Sequence, residues 1–209
     1  VQMIQLSIGG NNFGFADIVQ RCVTNFLTSP SWWPNYCYDD SSVTANFTTA
    51  NITAQTNAII GAINNIKTAM TAAGYSTGQY TIVVQTYPSP VPRASGFRYS
   101  QSGFTRQSTG GCGFWNRDAD WANDTALVRI NSAVRSAATS VGGNVKVLDI
   151  ASAFNGRRLC ETGVNLMENT GLGNWTNPSA ANATEWVAQI RTLSTVFGPY
   201  YVQESIHPN

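Results

Sequence analysis

Apolar positions along this chain switch between a period near two and a period near 3.6, and the switches mark its elements. Met3 to Ile8 is a short apolar run that reads as a buried strand ending at Gly9 and Gly10. From Phe13 to Phe26, the residues Phe15, Ile18, Val19, Cys22 and Phe26 follow helical spacing. Residues 29–45 form a loop rich in Pro, Trp and Tyr. The clearest helix is predicted over 52–73, where Ile52, Ile59, Ile60, Ile63, Ile66 and Met70 keep the period and Gly74 supplies a stop. Tyr80 to Thr86 is a β-branched strand bounded by Gly78 and Pro88. Residues 87–117 are a long Pro-, Gly- and aromatic-rich loop, of a length that is usually functional or poorly ordered. A second amphipathic helix is expected over 118–141 (Trp121, Leu127, Ile130, Val134, Ala137), closed by Gly142. Val145 to Ile150 reads as a third strand, and a last helix is expected over 185–196.

Strands alternating with helices predict an α/β fold, a doubly wound (flavodoxin-like) parallel sheet with helices on both faces. The run MIQLSI is apolar enough for an interior strand, and interior parallel strands need neighbours on both sides. The 80–86 strand is the obvious neighbour on one side. The expectation is therefore a sheet that lacks its first strands within this chain.

Composition narrows the partners. Charged residues are only 11% of the 209, against a usual quarter, and the net charge is +1. That balance offers no field for nucleic acid or an anionic membrane, and no run of 18 apolar residues could span a bilayer. The four cysteines, Cys22, Cys37, Cys112 and Cys160, allow three pairings and show no zinc-ligand spacing. Cys22–Cys37 and Cys112–Cys160 are the expected disulfides. The first would close a loop of about 15 residues, worth roughly 3 kcal/mol. The second would tie the aromatic loop to the segment after the third strand. Sequons stand at Asn46, Asn51, Asn123, Asn174 and Asn182. With even cysteines and two lysines, they favour a secreted glycoprotein, Asn46 and Asn51 being the first sites expected to carry sugar. No cofactor or metal is implied.

Two short segments carry candidate chemistry. Asn11 follows Gly9 and Gly10 at a strand end. It reads either as a turn asparagine or as a side-chain donor in an oxyanion hole, with the glycines letting backbone approach substrate. At the far end, Glu204 stands three residues before His207, the only histidine, with Pro208 behind it. A lone histidine near a terminus is usually a surface residue. A carboxylate on one ring nitrogen would instead fix its tautomer and make it a general base.

Together, LSIGGNNFGFADIV and QESIHPN resemble the third and fifth sequence blocks of the SGNH (GDSL-type) esterase and lipase family. GCGFWNRDADWANDTALVRIN, VKVLDIASAFNGRRLC and EWV resemble its secreted actinobacterial and fungal lipases. The resemblance covers nearly all of residues 1–209 and implies one SGNH hydrolase-like domain, the C-terminal, larger part comprising blocks III to V. It implies Asn11 as oxyanion donor with Gly9 as the block's glycine, His207 as base and Glu204 as its carboxylate. Asn12 and Glu204 each replace the family's usual Asp. The severe departure is that no Gly-Asp-Ser motif occurs in the chain. Ser7, Ser95, Ser102 and Ser108 are not in a nucleophile elbow. The expectation is a secreted carboxylic-ester hydrolase whose nucleophile serine comes from a second polypeptide that also completes the sheet. The alternative is a non-catalytic lipid- or carbohydrate-binding protein derived from the same fold.

Overall fold

The protein is described from a computed structural model covering residues 2–195, 198–201 and 206–208, with 192–195 and 198–201 described as backbone. In chain order the elements are β1 (Met3–Leu6), α1 (Phe15–Thr28), α2 (Ser41–Thr44), α3 (Thr49–Ala72), β2 (Thr81–Gln85), α4 (Thr105–Ser108) and α5 (Asn116–Trp121). They continue with α6 (Leu127–Val141), β3 (Val145–Leu148), α7 (Ala180–Ala183), β4 (Thr192–Thr195) and β5 (Gly198–Tyr201). They fall into two compact units. The first holds residues 1–16, 41–88 and 125–153, and the second holds 17–40, 89–124 and 154–209.

The first unit is a mixed helix and parallel-sheet structure. Its sheet has the order β1-β2-β3, all parallel, with Ile4, Ile82 and Val145 in one row and Gln5, Val83 and Lys146 in the next. On one face Ile4, Leu6, Ile82, Val84 and Val145 pack with Ile59 and Ile63 of α3 and Val134 and Ala137 of α6. The strands step across the sheet in one direction, so right-handed crossovers put both helices on that same side. Within this unit α3 and α6 cover one face of the sheet. On the other face Met3 (61%) and Leu148 (41%) are exposed, and Gln5 Nε2 donates to Gln85 Oε1 at 2.7 Å. The doubly buried first strand is thus corrected: β1 alternates, with only Ile4 and Leu6 facing the core.

Local chemistry moves the helix ends. α3 begins three residues earlier than its apolar period because the Thr48 hydroxyl accepts from Asn51 N–H at 3.3 Å, an N-cap. It closes where Tyr75 N–H reaches Met70 O at 3.0 Å, around Gly74 at φ +84°. The helical run expected over 118–141 begins at Asn116 and contains a π-turn, Ala122–Ala126.

In the second unit both expected disulfides, Cys22–Cys37 and Cys112–Cys160, are formed. The long aromatic loop is fastened by a buried arginine. Arg106 donates to Tyr99 O (3.1 and 2.8 Å), Phe114 O (2.7 Å) and Asn116 Oδ1 (2.9 Å), and its guanidinium lies 4.0 Å from the Phe97 ring centre. Burial lowers its pKa to about 10, so it stays charged. The helix expected over 185–196 is corrected. Val187 and Ile190 are buried on irregular backbone whose amides bond distant carbonyls, Ala188 N–H to His207 O (2.8 Å) and Ile190 N–H to Gly111 O (2.8 Å). Beyond them β4 and β5 pair antiparallel. β-Branched Val187, Ile190, Thr192 and Thr195 suit extended backbone better than a helix. No helix among the described residues is long and apolar enough to cross a membrane.

Candidate functional site

The turn after β1 is built around two glycines, the first held at a backbone angle that other residues rarely adopt and the second pressed close against a tyrosine ring. Gly9 has φ +115°, and a Cβ there would stand 3.0 Å from Ile59 Cδ1 and 3.4 Å from Val134 Cγ2. A Cβ on Gly10 would meet the Tyr87 ring at 3.2 Å. The chain then makes a single 3₁₀ turn, Asn11–Phe13, with Asn12 N–H to Gly9 O at 3.0 Å and Phe13 N–H to Gly10 O at 3.1 Å. Phe13 is fully buried and stacks on Phe47, with ring centres 5.9 Å apart. That contact locks the turn from below. Asn12 Nδ2 is tethered to Gln55 Oε1 of α3 at 3.2 Å. Asn11 is exposed, and its side chain has no hydrogen-bond partner among the described residues. It lies beyond the carboxyl end of a parallel strand, where open α/β sheets place ligands. One free amide donor on a rigid turn is the geometry an oxyanion site needs.

Two residues that no local motif singles out, Tyr87 and Asn131, hold this turn in place. Gly10 N–H donates to Tyr87 Oη at 3.2 Å. Tyr87 is itself gripped at both backbone groups by buried Asn131, whose Oδ1 accepts from Tyr87 N–H (2.7 Å) and whose Nδ2 donates to Tyr87 O (2.9 Å). Close by in chain terms, Thr86 Oγ1 donates to Asp149 Oδ1 at 2.9 Å, and Arg135 pairs with Asp149 at 2.8 Å. The Arg135 contact is the first cause that holds the Asp149 carboxyl below its ordinary pKa. This pair fastens the carboxyl ends of β2 and β3.

His207 belongs to the second unit. Its segment is pinned by Ile206 N–H to Ala188 O (3.0 Å), Ala188 N–H to His207 O (2.8 Å) and a bridge between Val187 and Pro208. Ile206 sits at φ +63°, unusual for a β-branched residue and a sign of stored strain beside the histidine. His207 is exposed and lines a cleft of about 670 Å³ with Trp175, Met167, Glu168 and Arg191. Glu204 lies outside the described residues. Glu185 also borders the cleft, but it is buried, accepts from Cys160 N–H at 2.7 Å and pairs with Arg98 at 2.5 Å. Burial raises its pKa despite that partner.

Asp118 is fully buried, and its Oδ1 accepts from both Cys37 N–H and Tyr38 N–H at 3.0 Å. Burial raises its pKa to about 7, with Asp39 and Asp40 adding to the shift. Cys22, Cys37 and Asp118 bring three ligand-type atoms within 4.8 Å. The two sulfurs are bonded to each other, so no thiolate is left to bind a metal there. Of the five sequons, Asn123 differs from the rest in its surroundings. It is buried, and its Nδ2 already donates to Val91 O (3.2 Å) and Ala119 O (2.8 Å). Asn46 and Asn51 are half-buried, and their amides donate to Ser42 O (3.0 Å) and Asn46 O (2.7 Å). Asn174 and Asn182 are exposed.

No protein-family model matches the sequence, and no curated protein matches it. Among solved structures, the chain is similar to an extracellular lipase from Streptomyces rimosus at 16% identity and a TM-score of 0.48. It is also similar to a phospholipase A1 from Streptomyces albidoflavus at 20% identity and a TM-score of 0.48. Each match covers 100% of this chain and 62% of the other, so the chain spans less than two thirds of their length.

Proposed function

We propose that the protein is a secreted carboxylic-ester hydrolase of the SGNH lipase and esterase type, acting by serine acyl transfer. The observation that carries the reading is the turn Gly9-Gly10-Asn11, with its buried glycines and a free, exposed Asn11 amide beyond a parallel strand. The serine Oγ attacks the ester carbonyl as His207 takes its proton, and Asn11 Nδ2 donates to the oxyanion. His207 then returns the proton to the departing alcohol, and water repeats the sequence on the acyl-enzyme. Glu204 orients the imidazole. The serine is supplied from outside these 209 residues, by a polypeptide segment that pairs along the free side of β1. The absence of Gly-Asp-Ser and the exposed edge strand support that arrangement. Secretion is supported by the two disulfides and the exposed sequons.

A fluorophosphonate probe applied to the native material tests this. Labelling of a serine on an associated segment, lost in His207→Ala, is the expected result. No labelling would leave the non-catalytic binding protein as the better reading.

A further inference from the structure

The second unit carries an aromatic surface that the hydrolase reading does not use. Trp32 is 79% exposed, Trp33 74% and Phe104 61%, which is unusual for three of the largest apolar side chains. They come from two loops that share one small cleft of about 220 Å³, lined by Pro30, Trp32, Ser102 and Phe104. Its floor is the pair Phe26 and Trp115, buried with ring centres 4.6 Å apart.

The tryptophans stand on a fastened loop. Cys22–Cys37 closes it, Trp33 N–H donates to Pro30 O at 2.9 Å, and Asn35 N–H donates to Ser29 Oγ at 2.9 Å. Ser29 Oγ in turn donates to Asn25 O on α1 at 2.5 Å. Exposure of the indoles is therefore built in, since the loop has no slack with which to fold them back.

Charge and ring geometry choose the occupant. Residues 23–38 and 99–105 contain no Asp, Glu, Lys, Arg or His. Of the charges next along the chain, Arg21 and Asp40 neutralise each other at 2.5 Å, Arg98 pairs with Glu185, Arg106 is buried, Arg117 lies over the Tyr36 ring, and the exposed Asp39 carries a negative charge. Nothing here would draw the surface to anionic lipid. A sugar chain needs a flat aromatic face to stack on, whereas Trp32 and Trp33 meet edge to face at 88°. Tryptophan and phenylalanine on an uncharged rim suit the headgroup boundary of a bilayer, where amphipathic rings settle. We infer that Trp32, Trp33 and Phe104 form a docking surface for a neutral, zwitterionic phospholipid interface. The inference does not rest on the hydrolase reading, because binding is measured without turnover.

The intact protein should co-sediment with phosphatidylcholine vesicles, and roughly 1 M salt should not release it. The triple variant Trp32→Ser, Trp33→Ser, Phe104→Ser should partition at least about tenfold more weakly, as expected when buried apolar area sets the affinity. Its thermal midpoint should be unchanged, since the three side chains are exposed. As a second measurement, acyl chains brominated near the headgroup should quench the wild-type tryptophan fluorescence. Absence of wild-type sedimentation or of quenching, or equal binding by the variant, would overturn the assignment. So would binding confined to phosphatidylserine vesicles, or capture by a neutral glucan without capture by vesicles.

Discussion

Asp118→Asn should make the protein more stable above neutral pH and leave it little changed near pH 4. Asp118 is fully buried, and its Oδ2 has no hydrogen-bond partner among the described residues, while Oδ1 serves two backbone N–H groups. Its pKa rises from the ordinary 3.8 to about 7, chiefly through burial. The folded protein thus holds a proton that the unfolded chain releases above pH 4. A raised carboxyl pKa contributes stability that is complete below the unfolded value and is lost as pH climbs through the folded one. A shift of about three units corresponds to about 4 kcal/mol at 1.36 kcal/mol per unit, an upper figure if water reaches the ionised group. Asparagine keeps the Oδ1 acceptor for Cys37 and Tyr38 and cannot ionise. Denaturant melts of wild type and variant at pH 4, 6 and 8 isolate the contribution, because Asp149, whose pKa is lowered first by its contact with Arg135, titrates equally in both proteins. The difference should grow from near zero at pH 4 to about 2–4 kcal/mol in favour of asparagine at pH 8. A difference that does not vary with pH would refute the reasoning.

His207→Ala should abolish hydrolysis of a soluble ester in the assembled protein while circular dichroism stays unchanged, since the side chain is exposed. Asn11→Ala should lower kcat by roughly 100- to 1000-fold with little change in KM, as for loss of one oxyanion donor. Tyr87→Phe removes the acceptor of the buried Gly10 N–H and should cost about 1–3 kcal/mol in a chemical melt. It should also lower kcat through a displaced turn, which a purely structural role elsewhere would not do. Glycopeptide mapping of material from a glycosylating host should find sugar at Asn174 and none at Asn123, and a modified Asn123 would contradict its buried, doubly bonded amide.

The elements that were legible in the sequence are those whose period is set by one packed face. The six apolar positions between Ile52 and Met70 announce α3, and the β-branched run at 80–86 announces β2, because each meets one hydrophobic core. The 185–196 segment departs from the helix its spacing predicts, because the apolar spacing there reflects burial of Val187 and Ile190 on backbone bonded to distant carbonyls, which only tertiary contacts reveal. Likewise MIQLSI looked interior on composition alone, yet Met3, Gln5 and Ser7 face outwards. At the site, Gly9, Gly10 and Asn11 were visible as a turn after a strand. The clamp behind them was not, since Tyr87 lies 77 residues from Gly10 and Asn131 lies 44 from Tyr87. No local pattern encodes pairings at those separations.

The strand that carries the Gly9-Gly10-Asn11 turn is also an edge strand of the described sheet, and the coincidence has a geometric meaning. Among the described residues β1 pairs with β2 alone. Edge strands in soluble proteins are usually guarded by a lysine, a proline, a bulge or a covering loop, and the four residues of β1 (Met3, Ile4, Gln5, Leu6) offer neither of the first two. Paired on that side by a parallel strand, β1 would become interior, and Met3 would lie on a sheet face continued by the newcomer. A parallel partner ends at the same end of the sheet as β1, so the turn that follows it would open beside Gly9, Gly10 and Asn11. That is where a strand-to-helix turn would present a nucleophile to an oxyanion held by the Asn11 amide. One added strand would thus satisfy both the open edge and the missing serine of the proposed reaction.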